Sequence, residues 1–180
     1  VTNSLGKEDS HDFTNANHIV LSNGDLLVIS SYRSVSSYYK LDGWIDHGII
    51  GKISKDNGQT WGEEFHLFHG PNWEPHLIEL PNGDIHCYFA YPRPWVSSAN
   101  SGTALVISKD GGKTWEPSKG EYPYFVMRSV YWSEAKNKYL ASDQMPVGVL
   151  LNGTDQFAFA VERNLHSRLE LCFLSHVDAK

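Results

Sequence analysis

The chain of 180 residues lacks the features of several protein classes. It has 15 Lys and Arg residues against 21 Asp and Glu residues, so its formal net charge is −6. An acidic chain without a basic patch does not fit a nucleic-acid-binding domain. No apolar run is long enough to cross a membrane as a helix. We therefore expect neither nucleic acid nor a membrane among its partners.

Cysteine is scarce as well, with only Cys87 and Cys172 in the whole chain. They fall on predicted strands of different type, which favours two buried free thiols and leaves a disulfide as the alternative. The nine histidines match no metal-ligand spacing, as the pair His66 and His69 illustrates. No nucleophile-elbow motif is present. We expect no metal and no cofactor.

One eight-residue pattern occurs twice, 54 positions apart. Residues 54–61 read SKDNGQTW and residues 108–115 read SKDGGKTW, and each copy follows a strand-like run. The Asp can accept hydrogen bonds from the turn backbone, the Gly supplies a positive φ, and the Trp covers the turn with apolar area. The pattern predicts a repeated structural turn. Its residues are Ser54, Asp56, Gly58, Thr60, Trp61, Ser108, Asp110, Gly112, Thr114 and Trp115.

A second repeat consists of a strand, a tight turn and another strand. Residues 18–33 read HIVLSNGDLLVISSYR, residues 76–91 read HLIELPNGDIHCYFAY, and residues 146–162 read PVGVLLNGTDQFAFAVE. Asn-Gly between alternating apolar runs is the strongest short hairpin signal. The Asn-Gly pairs recur at spacings of 59 and then 70 residues. This period suits four-stranded units with loops of variable length.

Together the repeats predict an all-β protein, a β-propeller of four-stranded antiparallel blades, and no helical period competes with this prediction. We expect one propeller region over residues 1–180. Its blades would span about 13–70, about 71–126 and, incompletely, about 127–180. Residues 130–140 fit either a lead-in to the third blade or an extra outer strand of the second.

The expected number of blades is too small for a closed ring. A propeller has four to eight blades, whereas about three are predicted here. An open set of blades would expose two apolar faces. We therefore expect either self-association or further blades to close the propeller.

The eight-residue pattern resembles the Asp-box, or BNR repeat, of sialidases and related β-propeller proteins. The resemblance implies a six-bladed sialidase-like propeller, of which this chain would form about half. In that family the box is structural and lies on the turn between the third and fourth strands of a blade. The family architecture also implies that first-strand starts and second-strand ends meet at one upper face, while the Asn-Gly turns lie below.

Two glutamates stand out at such strand ends. Glu74 lies between Trp73 and Pro75, where partial desolvation would favour its protonated form and suit a general acid. Glu162 follows the apolar run 157–161. Two carboxylates facing one sugar are the minimal machinery of most glycosidases. The alternative is that each glutamate caps a strand or pairs with an arginine.

The sequence around these glutamates resembles the catalytic blades of exo-arabinanase-like members of the superfamily. The resemblance covers residues 73–83 and 145–162, and it implies a retaining hydrolase in which Glu74 is the acid/base and Glu162 the nucleophile. The expected function is an exo-acting glycoside hydrolase that removes terminal sugars from a glycan or polysaccharide. We expect a secreted, extracellular or periplasmic protein, whose mature chain would have lost any signal peptide.

A true sialidase is a weaker alternative. Sialidases hold the sugar carboxylate with three arginines, a bidentate role that lysine does not replace well. Their first strand opens with Arg-Ile-Pro, whereas this chain has Asn17, His18 and Ile19 there. Arg33 would match the second arginine, and Asp42 or Asp46 would match the acid/base aspartate. The smaller number of arginines favours a neutral sugar.

The remaining candidates share an expected place at the upper face, where they would contact a carbohydrate substrate. They are Arg33, His18, Tyr91, Arg93, Trp95 and Arg163. A different class of function also stays open, a non-catalytic propeller that binds a glycan or a protein through the same face, because a fold does not fix a function.

Overall fold

The computed structural model describes residues 11–34, 46–92, 100–119, 121–127, 130–133, 137–151, 156–163 and 168–175. Within these ranges every regular element is a strand. The strands are β1 (His11–Val20), β2 (Leu26–Ser34), β3 (His47–Ser54), β4 (Phe65–His69), β5 (Trp73–Glu79), β6 (Ile85–Pro92), β7 (Asn100–Ser108), β8 (Tyr124–Met127), β9 (Val130–Ser133), β10 (Lys138–Leu150), β11 (Gln156–Arg163) and β12 (Arg168–Ser175). The described part of the chain contains no helix that could span a membrane.

The first four strands form an antiparallel sheet in the order β1-β2-β3-β4, which we call blade 1. Its first hairpin turns at Asn23 and Gly24, as the sequence predicts. Gly24 has a φ of 89°, which glycine adopts without steric cost, and its N–H donates to the Leu21 carbonyl over 2.8 Å. The Asn23 side chain accepts a bond from the Asp25 N–H. The hairpin between β5 and β6 repeats these bonds.

The other strands form an eight-stranded sheet that divides into two antiparallel parts. We call β5, β6, β7 and β8 blade 2, and β10, β11 and β12 blade 3. A short parallel pairing joins the parts, between Ala141 and Asn100 and between Ser142 and Ser101. β9 pairs antiparallel with the start of β10, from Val130 opposite Ala141 to Ser133 opposite Lys138, and so precedes blade 3. The predicted fold class, a propeller of antiparallel four-stranded blades, is confirmed.

The blades pack face to face around two apolar clusters. The first cluster lies between blades 1 and 2 and contains Leu27, Phe89 and Trp115 among its buried residues. The second lies on the other side of blade 2, where buried Tyr88 meets partly buried Leu150 of blade 3. Alternation of side chains along each strand supplies both faces of blade 2 with apolar groups. Blade 2 is therefore covered on both sides.

Cys87 confirms one expectation about the thiols. It is fully buried on β6 and is a free cysteine. Burial raises the pKa of the Cys87 thiol, so it stays protonated and behaves as a small apolar side chain. The side chain of Cys172 lies outside the described residues.

Each Asp-box forms a turn that its own side chains hold. In the second box, Asp110 Oδ1 accepts hydrogen bonds from Ser108 Oγ over 2.9 Å and from the Thr114 N–H over 2.9 Å. Ser108 Oγ in turn accepts from the Gly112 N–H over 2.8 Å. The first box repeats these bonds in its corresponding residues. Both turns lie at the same end of their blades as the Asn-Gly turns.

The hydrogen bonds of the boxes stabilise the ionised carboxylates. Burial opposes the ionisation of Asp110, but bonds from Thr114 and Ser108 outweigh it and lower its pKa to about 2. Bonds from Thr60, first from its side chain and then from its backbone, lower the pKa of Asp56 to about 2. The box carboxylates are thus charged at any pH above this range.

The two box tryptophans differ, although the sequence predicts that both cover a buried turn. Trp115 is 8% exposed, and its indole N–H donates to the Gly112 carbonyl over 3.1 Å. Trp61 is 42% exposed. The reason is positional: Trp115 packs between blades 1 and 2, whereas no described blade lies on the corresponding side of blade 1.

Candidate functional site

The first strand of each blade carries a β-bulge at the same place. The pairing of β1 with β2 shifts between Thr14 and Asn17, that of β5 with β6 between Trp73 and His76, and that of β10 with β11 between Gln144 and Val147. In each case two residues oppose one residue of the partner strand. The bulges lie at the end of the hairpin opposite the Asn-Gly turn. We call this end the upper edge of the blades.

Two bulges place a residue other than glycine in the left-handed region. Asn15 has a φ of 54° and Glu74 a φ of 55°, and the two are 59 positions apart, which is the spacing of the Asn-Gly turns. A positive φ is uncommon outside glycine and costs on the order of 1–3 kcal/mol. Bulges re-aim side chains and are over-represented next to active sites. Glu74, which the sequence already singles out, therefore lies in a strained backbone conformation.

The loop that leads into Glu74 is fixed to blade 1. Ser31 Oγ donates to Asn72 Oδ1 over 2.6 Å, and Asn72 Nδ2 donates to the Gly70 carbonyl over 3.0 Å. Both Ser31 and Asn72 are buried, so these bonds are shielded from water. Glu74 itself is half-buried. The strained residue thus follows an ordered and hydrogen-bonded segment.

A side chain two positions after each bulge residue binds the next blade. Asn17 Oδ1 accepts a hydrogen bond from the Leu77 N–H of blade 2 over 3.2 Å. The Nε2–H of His76 donates to the Gly148 carbonyl of blade 3 over 2.9 Å. Asn17 and His76 are again 59 positions apart. We call these two contacts the inter-blade latches, and they fix the first strands of adjacent blades relative to each other.

Several predicted site residues do lie at the upper edge. Arg33 pairs with Asp12 of β1 and His47 of β3, and Asp46 directly precedes His47. Arg33 Nη2 donates to Thr14 Oγ1 over 3.4 Å. This places Arg33 and Asp46 at the same end of the sheets as the Glu74 bulge.

Asp46 has a specific partner in the structure. The Nε2–H of His11 donates to Asp46 Oδ2 over 2.8 Å, and both side chains are partly exposed. The ring of His11 also meets that of Tyr32 edge-on, with centroids 5.6 Å apart. Burial raises the pKa of Tyr32 to about 12, with a further contribution from the charge of Asp46. Tyr32 is therefore a neutral hydrogen-bonding group at physiological pH.

Three histidines accompany these residues at the upper edge of blade 1. His66 and His69 on β4 stack with ring centroids 4.2 Å apart, and His47 at the start of β3 is buried. Burial lowers the pKa of His47, and the nearby Arg33 lowers it further against the opposing effect of Asp46. The ring of His47 is therefore neutral at pH 7. The described residues contain no group of three or more ligands that could hold a metal ion.

The placement of His18 differs from the prediction. The sequence pattern predicts that the first strand starts at His18, but β1 begins at His11. His18 pairs with Val28, five positions before Arg33 on β2. The residue of blade 1 that corresponds to Glu74 is Asn15, and His18 corresponds to Leu77. His18 is thus not at the upper edge, because the polar start of β1 continues the pairing with β2.

Tyr91 is at the upper edge, but its side chain belongs to the core. It is 5% exposed and packs edge-on against Phe68 with centroids 5.9 Å apart. A buried ring of this kind cannot present its face to a sugar without rearrangement. Its structural contribution is to the apolar cluster beneath the bulge that carries Glu74.

Other candidates lie partly or wholly outside the described residues. Arg93 and Trp95 fall in the undescribed range 93–99, and the side chains of Glu162 and Arg163 are likewise outside the description. The backbone of Glu162 pairs with Gln144, directly beside the bulge of β10. By register, Glu162 therefore lies at the upper edge of blade 3.

The roles of Asn15 and of the two latch residues, Asn17 and His76, were not predicted from the sequence. A signal was present, because aligning the chain on its Asn-Gly turns places Asn15 over Glu74 and Asn17 over His76. The residue types do not match, so a comparison of identities alone does not find the correspondence. The backbone geometry and the cross-blade bonds make it visible.

Comparison with known proteins agrees with this architecture. The family model described as BNR/Asp-box repeat matches residues 106–117, which include the second box. No curated protein matches the sequence significantly. The family match covers one turn, so the sheet architecture has to be compared through solved structures.

Three solved structures illustrate the likeness. A family 117 glycoside hydrolase from the marine bacterium Zobellia galactanivorans superposes with a TM-score of 0.66 at 10% identity, over 97% of this chain and 56% of that one. A family 93 α-L-arabinofuranosidase of Fusarium graminearum gives 0.53 at 19% identity, over 89% and 44%. A family 25 polysaccharide lyase, an ulvan lyase, gives 0.54 at 16% identity, over 81% and 31%.

These comparisons support the fold. The chain carries a BNR/Asp-box repeat and shares its fold with these structures, and it spans about half the length of the two glycoside hydrolases. Identities of this size show a shared architecture and do not transfer a reaction.

Proposed function

We propose that this chain forms part of a carbohydrate-active propeller and that Glu74 is a catalytic carboxylate in the hydrolysis of a glycosidic bond. The observation that carries the proposal is the left-handed bulge that holds Glu74 at the upper edge. Strained residues persist where the surrounding structure over-determines them, and they cluster at active sites. The similar solved structures include glycoside hydrolases and a polysaccharide lyase, which supports carbohydrate as the substrate class.

In the proposed reaction Glu74 acts first as a general acid. Its protonated carboxyl donates a proton to the glycosidic oxygen as the bond from that oxygen to the anomeric carbon breaks. Glu162, whose backbone lies beside the corresponding bulge of blade 3, supplies the carboxylate that forms a bond to the anomeric carbon. The leaving sugar departs with the proton from Glu74.

The second half of the reaction restores both carboxyl groups. The carboxylate of Glu74 removes a proton from a water molecule as the water oxygen attacks the anomeric carbon. The bond to Glu162 breaks, and the released sugar retains its anomeric configuration. Arg33 and Asp46, at the upper edge of blade 1, would contact hydroxyl groups of the bound sugar. We further propose that the protein removes terminal sugars from its substrate in an extracellular or periplasmic setting.

The decisive test compares Glu74→Gln with a matched control. The control is Glu63→Gln, an exposed glutamate just after the first Asp-box, at the lower end of blade 1. Release of the phenol measures the hydrolysis of aryl glycosides, including α-L-arabinofuranosides. Release of reducing sugar measures the hydrolysis of oligosaccharides. We expect Glu74→Gln to lower kcat at least 100-fold, since general acid–base groups contribute about 10²–10⁴.

The binding of sugars separates the two classes of function. If Glu74→Gln still binds oligosaccharides in calorimetry but does not cleave them, the hydrolase is supported. Turnover that is unchanged in Glu74→Gln would exclude the proposed role of this residue. Binding without turnover by the unmodified chain would favour the non-catalytic propeller, in which the same upper edge only recognises a glycan.

A further inference from the structure

Blade 1 has an open groove on the side that faces away from blade 2. The groove has a volume of about 610 Å³ and runs across β1, β2 and β3 to the first Asp-box. Its lining includes Phe13, Val28, Ile50, Lys52, Trp61 and Glu64. Phe13 and Trp61 are 38% and 42% exposed, which is high for large apolar side chains. The groove is therefore a mainly apolar surface without a described neighbour.

The repeat identifies what normally covers this face. Moving along the chain by the hairpin spacing of 59 residues takes Val28 of the groove to Cys87 of blade 2. Moving by the Asp-box spacing of 54 residues takes Ile50 to Ala104. Cys87 and Ala104 are fully buried in the apolar cluster between blades 1 and 2. The groove is thus the blade 1 version of a face that, in blade 2, packs against the preceding blade.

The first Asp-box supports the same reading. Trp61 corresponds to Trp115, which fills the space between blades 1 and 2. A Cβ placed on Gly112 would lie 3.8 Å from Leu27 of the preceding blade, whereas Gly58 meets only residues of its own blade. The box of blade 2 therefore contacts the preceding blade. The box of blade 1 has the same residue types at the pattern positions, and its Trp61 is exposed on the equivalent side.

Blade 3 has the complementary open face. Val147 and Val149 of β10 are 50% and 58% exposed. The alternate residues of the strand face blade 2, where Leu150 packs into the second cluster and the Gly148 carbonyl accepts the latch bond from His76. Counted from the bulges, Val149 corresponds to Ile78 of β5, which packs in the second cluster against blade 3. This face therefore matches the faces that blades 1 and 2 bury against their successors.

We propose that the groove of blade 1 binds the exposed face of blade 3 from a second copy of this chain, so that two copies close one ring. Each blade-to-blade contact among the described residues joins the same two kinds of face, and within that part of the chain one of each kind is left open. A head-to-tail contact that closes by rotation gives a ring with two-fold symmetry and no free face. The contact would bring Val147, at the latch position of blade 3, to His18 of the other copy.

The pairing also bears on the proposed site without depending on it. The upper edges of all blades of a ring face the same central space, so ring closure would add the upper edge of the second copy to the site. The pairing is argued only from the open faces, and it would stand if Glu74 had no catalytic role. The two proposals are therefore tested by different measurements.

The first experiment measures the mass of the 180-residue chain by light scattering and sedimentation across a range of concentrations. We expect a species of twice the 20.3 kDa chain mass. Trp61→Ala should weaken the association at least tenfold while circular dichroism shows the same strand content. The matched control is Tyr122→Ala, a change at a 68% exposed aromatic outside the groove, which should leave the association unaltered.

A mixing experiment tests the head-to-tail arrangement itself. Val149→Lys should weaken the association from the blade 3 side, as Trp61→Ala does from the groove side. The variants are compared at a concentration at which the unmodified chain is dimeric and a tenfold weaker contact is not formed. A mixture of the two variants still contains one intact groove and one intact blade 3 face, so it should form a mixed dimer through a single contact. Each variant alone should stay monomeric.

Three results would overturn the pairing. One is a single-chain mass at every concentration, and another is a dimer that survives both Trp61→Ala and Val149→Lys. The third is failure of the mixed variants to associate when the unmodified chain is dimeric, which would point to groove-to-groove pairing. If Trp61→Ala does not fold, Lys52→Glu replaces it, because this exposed groove residue changes charge without loss of apolar area.

Discussion

The backbone at Glu74 carries a cost that a purely structural residue would not need. A left-handed bulge is accessible to glycine without strain, yet the chain has Glu74 and Asn15 at these two positions. Glycine would avoid this cost, so the strain itself does not require a glutamate at position 74. The effect of residue 74 on the free energy of unfolding can therefore be measured separately from its effect on catalysis.

Glu74→Gly tests this separation. We expect its free energy of unfolding to be unchanged or up to about 1 kcal/mol higher, because relief of the positive-φ strain offsets the extra flexibility of glycine in the unfolded chain. Urea unfolding measures the change, and Asn15→Gly is the matched control. A loss well above 1 kcal/mol in Glu74→Gly alone would show that its side chain mainly stabilises the fold. Activity should be lost even where stability is gained.

At the same scale, sequence reasoning found Glu74 but not its setting. Trp73 and Pro75 mark the residue in the sequence, whereas its conformation depends on the pairing of β5 with β6. The error at His18 has a related cause. Apolar alternation starts near His18, but pairing continues back to His11 through residues that are partly solvent-exposed. Hydrophobic periodicity cannot detect a strand end that is polar on both faces.

The latches act at the level of the element, because each fixes the first strand of the next blade. Leu77 is buried, so removing the acceptor of its N–H leaves a donor without a partner. Asn17→Ala should lower the free energy of unfolding by about 1–3 kcal/mol. Asn17→Asp retains an oxygen at the same place and serves as the control in the same denaturant titration. Equal losses in both variants would argue against the hydrogen bond as the cause.

The Asp-box turns make a prediction about acid. The pKa values of Asp56 and Asp110 are about 2 in the folded chain, below the ordinary value of 3.8. A carboxylate with a lowered folded pKa contributes stability above its unfolded pKa and loses it as pH falls through the folded value. The urea concentration at the midpoint of unfolding should therefore decrease as the pH is lowered from 4 to about 2.

Neutral replacements isolate this effect. The double variant Asp56→Asn with Asp110→Asn should be less stable than the unmodified chain at pH 7, and its urea midpoint should change less between pH 4 and pH 2. Asp84→Asn, in the turn between β5 and β6, is the control for removal of a partly buried carboxylate outside the boxes. A pH dependence that is as steep in the double variant as in the unmodified chain would assign acid sensitivity to other groups.

The elements were the most predictable level of the structure. Asn23 with Gly24 and the two Asp-boxes fix their turns through short-range bonds, so local sequence is sufficient to predict them. The pairing of Ala141 and Ser142 with β7 was not predictable, since it joins distant parts of the chain by two residues only. Latches and bulges likewise depend on tertiary register and not on local propensity.

For the whole molecule, the distribution of apolar contact predicts where stability is concentrated. Blade 2 is packed on both faces, against blade 1 by the first cluster and against blade 3 by the second. Among the residues that the structure describes, blades 1 and 3 are each packed on one face. Local opening should therefore cost least in the two outer blades and most in blade 2, because protection from exchange follows buried contact.

Hydrogen exchange can measure this order directly. In a monomeric variant such as Trp61→Ala, amides of β6 and β7 should exchange most slowly, and those of β1 and β12 most rapidly. In the associated chain, the amides of β1 and β10 at the proposed contact should gain protection while those of β6 hardly change. A uniform gain over all strands would mean that association stabilises the fold globally without a defined contact. A gain confined to β1 and β10 would locate the closure of the ring at the two faces that the repeat leaves open.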